Sequence, residues 1–170
     1  MARDLRLINI FKFFLVLSII YAVFIFYLSS LNDISTHMGF IEKQYILKIF
    51  SFFERFGLGV ITKISVFAYS NYDKSMHFIL YTGFGIVIYL TMHFSGNPFL
   101  RKYTVILVLL IGVLYAITDE MHQSYVPGRS ASKADLVADT AGLVFSVIMM
   151  PVLIYIQKNI GVWIHRGKTL

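Results

Sequence analysis

The chain has 170 residues, of which 58% are hydrophobic, 16% aromatic and 14% charged, and its mean hydropathy is +0.73. A soluble domain of this length has too little interior for so much apolar surface, so the composition excludes an ordinary soluble globule and indicates a membrane protein. The net charge of +6 does not signal nucleic acid, because the Lys and Arg lie at the edges of apolar runs, and the lack of cysteine excludes disulfides, thiolate metal sites and thiol catalysis.

The first apolar run, INIFKFFLVLSIIYAVFIFYLSSL, follows the basic residues Arg3 and Arg6 and contains Lys12. It is too long for a signal peptide and no small-residue cleavage site follows, so it reads as a retained span over about Ile10–Leu28. The connection from Ser29 to Tyr72 is too long for a turn, and its mixture of aromatic, aliphatic and charged residues suits a short helix lying in the membrane interface. A cap folded over the bundle is the alternative. Three further runs, Lys74–Phe94, Tyr103–Glu120 and Ala134–Lys158, are each long enough to cross a hydrocarbon core of roughly 30 Å if their polar ends reach the interface. Pro151 is expected to kink or bend the last helix without abolishing it. Gly83, Gly85, Gly112 and Gly142 offer places for close helix contact.

The expected fold class is therefore all-α: a polytopic bundle of four transmembrane helices, with an interfacial helical segment between the first and second. No repeat or flexible linker divides the chain, so residues 1–170 read as one domain. The positive-inside rule places Arg3, Arg6, Lys12, Arg101, Lys102, Lys158, Arg166 and Lys168 in the cytoplasm, with both termini. Every acidic residue except Asp4 then falls on the outer side.

The passage TDEMHQSYVPGRSASKADLVADTAG joins the last two runs and is dense in polar groups. Helical rise puts Asp119 about 24 Å above the inner end of its span, His77 about 24 Å and Asp139 about 28 Å above theirs, so three helices deliver polar residues to one outer level. At about 100° per residue, Lys74, His77 and Tyr81 share a face. Asp119, His122 and Gln123 form a second face, which Tyr115 extends one turn deeper, and Asp135, Asp139 and Gly142 align on the last helix. Such groups are costly against lipid but can pair across a bundle, which suggests a polar cavity open to the outer leaflet. Pro127–Gly128 marks a turn, and Ser132 with Asp135 has the S-x-x-D form of a helix start. Arg129 thus sits on a constrained turn, poised for a phosphate or carboxylate, or for an internal pair with Asp119, Glu120 or Asp135.

The blocks DKSMHFILY, DEMHQSYVPGRSAS and ADLVADTAG, spanning residues 73–142, resemble the signature blocks of the VanZ-like family of small bacterial membrane proteins. That family is associated with teicoplanin (glycopeptide) resistance. The resemblance implies a multi-spanning protein of the cell envelope, in the cytoplasmic membrane, without supplying a reaction. It carries over Asp73, Lys74, His77, Tyr81, Asp119, Glu120, Gln123, Arg129, Asp135 and Gly142. Asp139 departs from the usual Asn of that pattern, and His122 is not part of it.

Several function classes remain open on these residues. In a membrane enzyme performing phosphoryl or acyl transfer on a lipid, His77, Asp119 and Glu120 are the catalytic candidates. Lys74, Tyr81, Gln123, Arg129, Asp135 and Asp139 would then contact the substrate. No nucleophile stands out, and neither G-x-S-x-G nor a Walker loop is present. The favoured expectation is binding or modification of an anionic lipid-linked or peptidoglycan-related ligand, with membrane lipids or a lipid-linked cell-wall precursor as partner and no nucleic acid. A proton-coupled lipid transporter needs more room than four spans give unless the protein forms a homo-oligomer. A purely structural polar network is the bland alternative. His77, Asp119, Glu120, Asp135 and Asp139 offer hard donors, but no tight ligand motif such as H-E-x-x-H is present, so no metal ligands are assigned and no cofactor is named.

Overall fold

In a computed structural model, residues 2–31 and 59–166 are described, and their regular structure is entirely helical. The described helices are α1 (Ala2–Ser29), α2 (Gly59–Ser70), α3 (Tyr72–His93), α4 (Pro98–Lys102), α5 (Thr104–Gln123) and α6 (Lys133–Arg166). Four stretches are long and apolar enough to cross a membrane: Leu7–Ser29, Tyr72–His93, Thr104–Gln123 and Lys133–Asn159. Their ends fall within three residues of those expected from the sequence. α3 and α5 run further into their polar ends than hydropathy suggests, because a helix continues while its backbone bonds are satisfied, whatever the polarity of its side chains.

The short helix between the first two spans is α2; residues 32–58, the rest of that connection, lie outside the described residues. Val60, Ile64 and Phe67 form an exposed apolar stripe on α2 at helical spacing. α2 meets α3 at Asn71, where Asn71 Nδ2 donates to Phe67 O at 2.9 Å and Ser75 Oγ donates to Ala68 O at 3.1 Å. At the opposite end of α3, Asn97 caps α4 by accepting from the Phe99 amide at 2.9 Å, with Pro98 in the first turn, where its missing N–H costs nothing.

α3 is the central helix and packs most extensively on α6, then on α1 and α5. Tyr81, Phe84, Val108, Ala116 and Leu143 form the core where α3, α5 and α6 meet. α1 is peripheral: only 6% of its apolar window is buried. It is held along one edge by Ser18 Oγ against Thr91 Oγ1 at 2.9 Å, by Tyr21 stacked on Phe84, and by Tyr115, whose hydroxyl donates to Ala22 O at 2.6 Å. Ile106, Leu110, Leu114 and Ile117 leave an apolar stripe on the outside of α5. In water this surface would cost roughly 25 cal/mol per Å², whereas lipid tails solvate it without that cost.

The closest backbone approach is at Gly142 of α6. A Cβ there would collide with Phe78 O and lie 2.9 Å from Thr82 N, both backbone atoms of α3. At Gly85 and Gly112 the space is instead filled by side chains of α6, chiefly Ser146 and Leu143. α6 continues through Pro151, consistent with the tolerance of membrane helices for an internal proline.

Candidate functional site

The polar residues collect where α1 and α5 end and α3 and α6 begin. The stripe on α6 and the stripe on α3 meet rung by rung. Asp135 Oδ1 accepts from Lys74 Nζ at 2.7 Å, Asp139 Oδ1 lies 2.9 Å from His77 Nδ1, and Gly142 brings the backbones together one turn deeper. Lys74 also donates to Asp73 at 2.9 Å, so one ammonium bridges two carboxylates. α5 closes the third side: Tyr81 OH donates to Asp119 Oδ2 at 3.2 Å, and Gln123 Nε2 donates to the same oxygen at 3.3 Å.

The turn after α5 follows from its residues. The Arg129 amide donates to Val126 O at 3.1 Å, closing a turn with Pro127 second and Gly128 third, and Gly128 has φ of 83°. That positive φ is what type II turns require at this position and what glycine accepts without strain. The chain then enters α6 at Ser132, whose Oγ accepts from the Asp135 amide at 3.3 Å as the S-x-x-D pattern predicts. The return arm of the capping box is supplied from elsewhere. Glu120 Oε2, on α5, accepts the Ser132 amide at 2.6 Å, which leaves the Asp135 carboxylate free to take Lys74.

A cavity of about 640 Å³ opens among these elements. Lys74, His77, Tyr81, Asp119, Gln123, Arg129 and Asp135 are among its polar lining, and Ile25, Leu28 and Leu80 among its apolar lining. Its size lies in the range of small-molecule sites. The Arg129 guanidinium donates to Gln123 Oε1 at 2.8 Å and makes no ion pair among the described residues, so the internal pairing with Asp119, Glu120 or Asp135 does not occur. Glu120 and Asp139 do not line the cavity; both are buried close to His77. Several oxygens here have no hydrogen-bond partner among the described residues: Ser29 Oγ, Asp119 Oδ1, Glu120 Oε1 and Asp139 Oδ2. His77, Glu120 and Asp139 each offer one ligand atom within 4.8 Å of the others, so these three could hold a metal ion.

A family model described as VanZ/LLP1 matches residues 12–155. The chain belongs to the VanZ/LLP1 family. No curated protein and no solved structure matches it. The VanZ/LLP1 match covers all four apolar helices, whereas the blocks that carried the resemblance cover residues 73–142. This is a multi-pass membrane protein of that family.

Two residues assigned to the polar face of α5 in fact belong to another face. The His122 ring stacks on Phe26 at 4.4 Å and its Nε2 lies 2.9 Å from Ser30 Oγ, so it fastens α1 to α5. Tyr115 likewise turns its hydroxyl to α1. Position 122 lies 300° around the helix from 119, 60° to one side, while 123 lies 40° to the other, and that difference separates two neighbouring helices. The residue that sequence reading missed is Ser29. It is buried, lines the cavity and lacks a partner among the described residues, but in sequence it looks like the polar end of an apolar run.

Proposed function

We propose that this VanZ/LLP1 protein lies in the bacterial cytoplasmic membrane with both termini inside, and that its polar cavity binds the anionic headgroup of a lipid-linked or peptidoglycan-related ligand at the outer interface. The observation that carries this reading is Arg129: a half-buried guanidinium in the wall of a 640 Å³ cavity, with a neutral amide as its only polar partner among the described residues. A guanidinium whose one polar partner among the described residues is Gln123 keeps donors for phosphate or carboxylate oxygens. Lys74, already bridging Asp73 and Asp135, lies on the same wall, and Ser29 Oγ adds a hydroxyl without a partner among the described residues. The apolar lining from Ile25, Leu28 and Leu80 suits the first methylenes of a lipid chain. A contribution to glycopeptide resistance is proposed from the family association alone.

The test is lipid binding by the purified protein in detergent, read by native mass spectrometry with phosphatidylglycerol, a polyprenyl diphosphate and phosphatidylcholine as probes. Arg129→Ala is expected to weaken binding of the anionic probes by about tenfold to a hundredfold, as for loss of a charged hydrogen bond, and to leave phosphatidylcholine unchanged. A folded Arg129→Ala protein that binds all three lipids as the parent does would refute the reading.

A second reading, a membrane enzyme acting on such a lipid, is favoured by the buried His77–Asp139 pair, whose imidazole reaches the cavity wall. It is separated from binding by incubating the protein with a lipid extract: a new mass in the extract, absent with His77→Ala, marks an enzyme.

A further inference from the structure

We propose that His77, Glu120 and Asp139 form a divalent-cation site in the interior of the bundle, taking a transition ion of the Mn²⁺ or Zn²⁺ class. The three residues come from three helices, α3, α5 and α6, and their ligand atoms lie within 4.8 Å of one another. Donors about 2.1 Å from one ion lie roughly 3.0–3.4 Å apart at octahedral or tetrahedral angles, so the widest pair must close by up to about 1.5 Å, within the reach of side-chain rotation. His77 Nδ1 and Asp139 Oδ1, 2.9 Å apart, are hydrogen-bonded, so an ion held through Nδ1 would take the place of the proton between them.

Two independent observations point to a cation rather than to a self-contained polar network. The first is that oxygens are left over: Glu120 Oε1 and Asp139 Oδ2 are buried with no hydrogen-bond partner among the described residues, on side chains of residues 6% and 0% exposed. A finished network leaves no carboxylate oxygen bare, because an unsatisfied buried acceptor bears its full desolvation cost. The second is charge. Asp119, Glu120, Asp135 and Asp139 are all buried, while the cations facing them, Lys74 and Arg129, are only half-buried, and Lys74 is shared with the exposed Asp73. Four buried carboxyl groups against two half-buried cations and one histidine form a donor set that a bound divalent ion would balance.

The donor set selects the ion. Imidazole favours transition ions over Mg²⁺ and Ca²⁺, two carboxylates suit Mn²⁺ as well as Zn²⁺, and sulfur is absent from the set. Three protein donors leave coordination positions for water or for a ligand oxygen, and His77, which lines the cavity, marks the route by which either arrives. This inference is independent of the anion-binding reading, since none of the three ligands is Arg129 or Lys74.

The experiment uses the full chain in lipid nanodiscs, stripped with chelator and titrated with Mn²⁺ alone, with free Mn²⁺ followed by its electron paramagnetic resonance signal. One Mn²⁺ per chain is expected to bind saturably, to be displaced by Zn²⁺, and to raise the apparent unfolding temperature, because one ion ties three helices together. His77→Ala should abolish binding, and the isosteric Glu120→Gln and Asp139→Asn should each weaken it at least tenfold. Asp73→Asn, outside the triad, should not change it. Arg129→Ala should bind Mn²⁺ as the parent does, so a failure of lipid binding and a failure of metal binding are told apart. Absence of saturable binding by the stripped, folded parent protein overturns the proposal, and so does parental affinity in folded Glu120→Gln and Asp139→Asn.

Discussion

Replacing Gly142 by alanine tests the link between helix packing and the site most directly. The added methyl would sit 2.9 Å from Thr82 N and closer still to Phe78 O, and both are backbone atoms that no rotamer change can move. Carbon needs about 3.3–3.6 Å from a carbonyl oxygen, so α3 and α6 must separate by roughly 1 Å at this point. Such overpacking typically costs about 1–3 kcal/mol. The same displacement stretches the His77–Asp139 contact from 2.9 Å to well beyond good hydrogen-bond length, and weakens Lys74–Asp135 beside it. A bond to a charged group is worth about 1.5–3 kcal/mol, so overpacking with loss of one such bond should cost on the order of 3–6 kcal/mol. Gly112→Ala is the internal control. The three atoms nearest its methyl are all side-chain carbons of Leu143, not backbone, so a rotamer change there can absorb part of the clash, and the gain in helix propensity is the same in both variants. The assay is the apparent unfolding temperature in detergent, from the folded fraction recovered by size exclusion after heating. Gly142→Ala should melt several degrees below the parent and clearly below Gly112→Ala. Equal melting of the two variants would refute the close backbone approach and the coupling drawn from it.

Three further outcomes are expected. Lys74→Met strands Asp135, whose side chain is 8% exposed, and should cost about 2–3 kcal/mol; this is less than for a fully buried pair because the lysine is 39% exposed. Adding Asp135→Leu should recover most of that loss in the same melting assay, and a double variant as unstable as the single one would contradict the pairing. Glu120→Ala removes the acceptor of the Ser132 amide, so deuterium exchange over residues 132–136 should accelerate while the distant end of α6 stays protected. Unchanged protection there would mean that Glu120 does not cap α6. Because the chain has no cysteine, single Tyr125→Cys and Gly96→Cys variants report topology cleanly: an impermeant maleimide on intact cells should label the first and not the second, and the reverse pattern would invert the proposed orientation.

Most of the fold was legible because lipid makes a strong demand on a sequence. A bilayer-crossing helix must be apolar for about 20 residues, and that requirement appears directly in the four runs. The lower part of the site was legible for a related reason. Lys74 and His77 on one helix and Asp135 and Asp139 on another are each spaced for one face, and a polar stripe in an apolar helix has few places to go except toward another such stripe. The Pro127–Gly128 turn and the Ser132 cap are local features, and local rules suffice for them.

What only the tertiary structure decided is which face meets which partner. The residues on α5 show this: His122 and Gln123 are adjacent in sequence, yet one fastens α1 and the other supports Arg129. The 100° between them matters only once the neighbouring helices are in place. The Glu120 bond to the Ser132 amide has no sequence signature, because the S-x-x-D pattern implies its own acid as the reciprocal cap, and that acid is drawn away to Lys74 on α3. The cluster of His77, Glu120 and Asp139 is equally invisible in one dimension, since each ligand belongs to a different helix and no spacing connects them. Hydropathy and helical periodicity determine the spans and the polar level they share, because both depend on residues close in sequence. The Gln123-held guanidinium, the carboxylate oxygens without partners among the described residues and the cavity depend on packing between helices, which the chain decides only when it is folded.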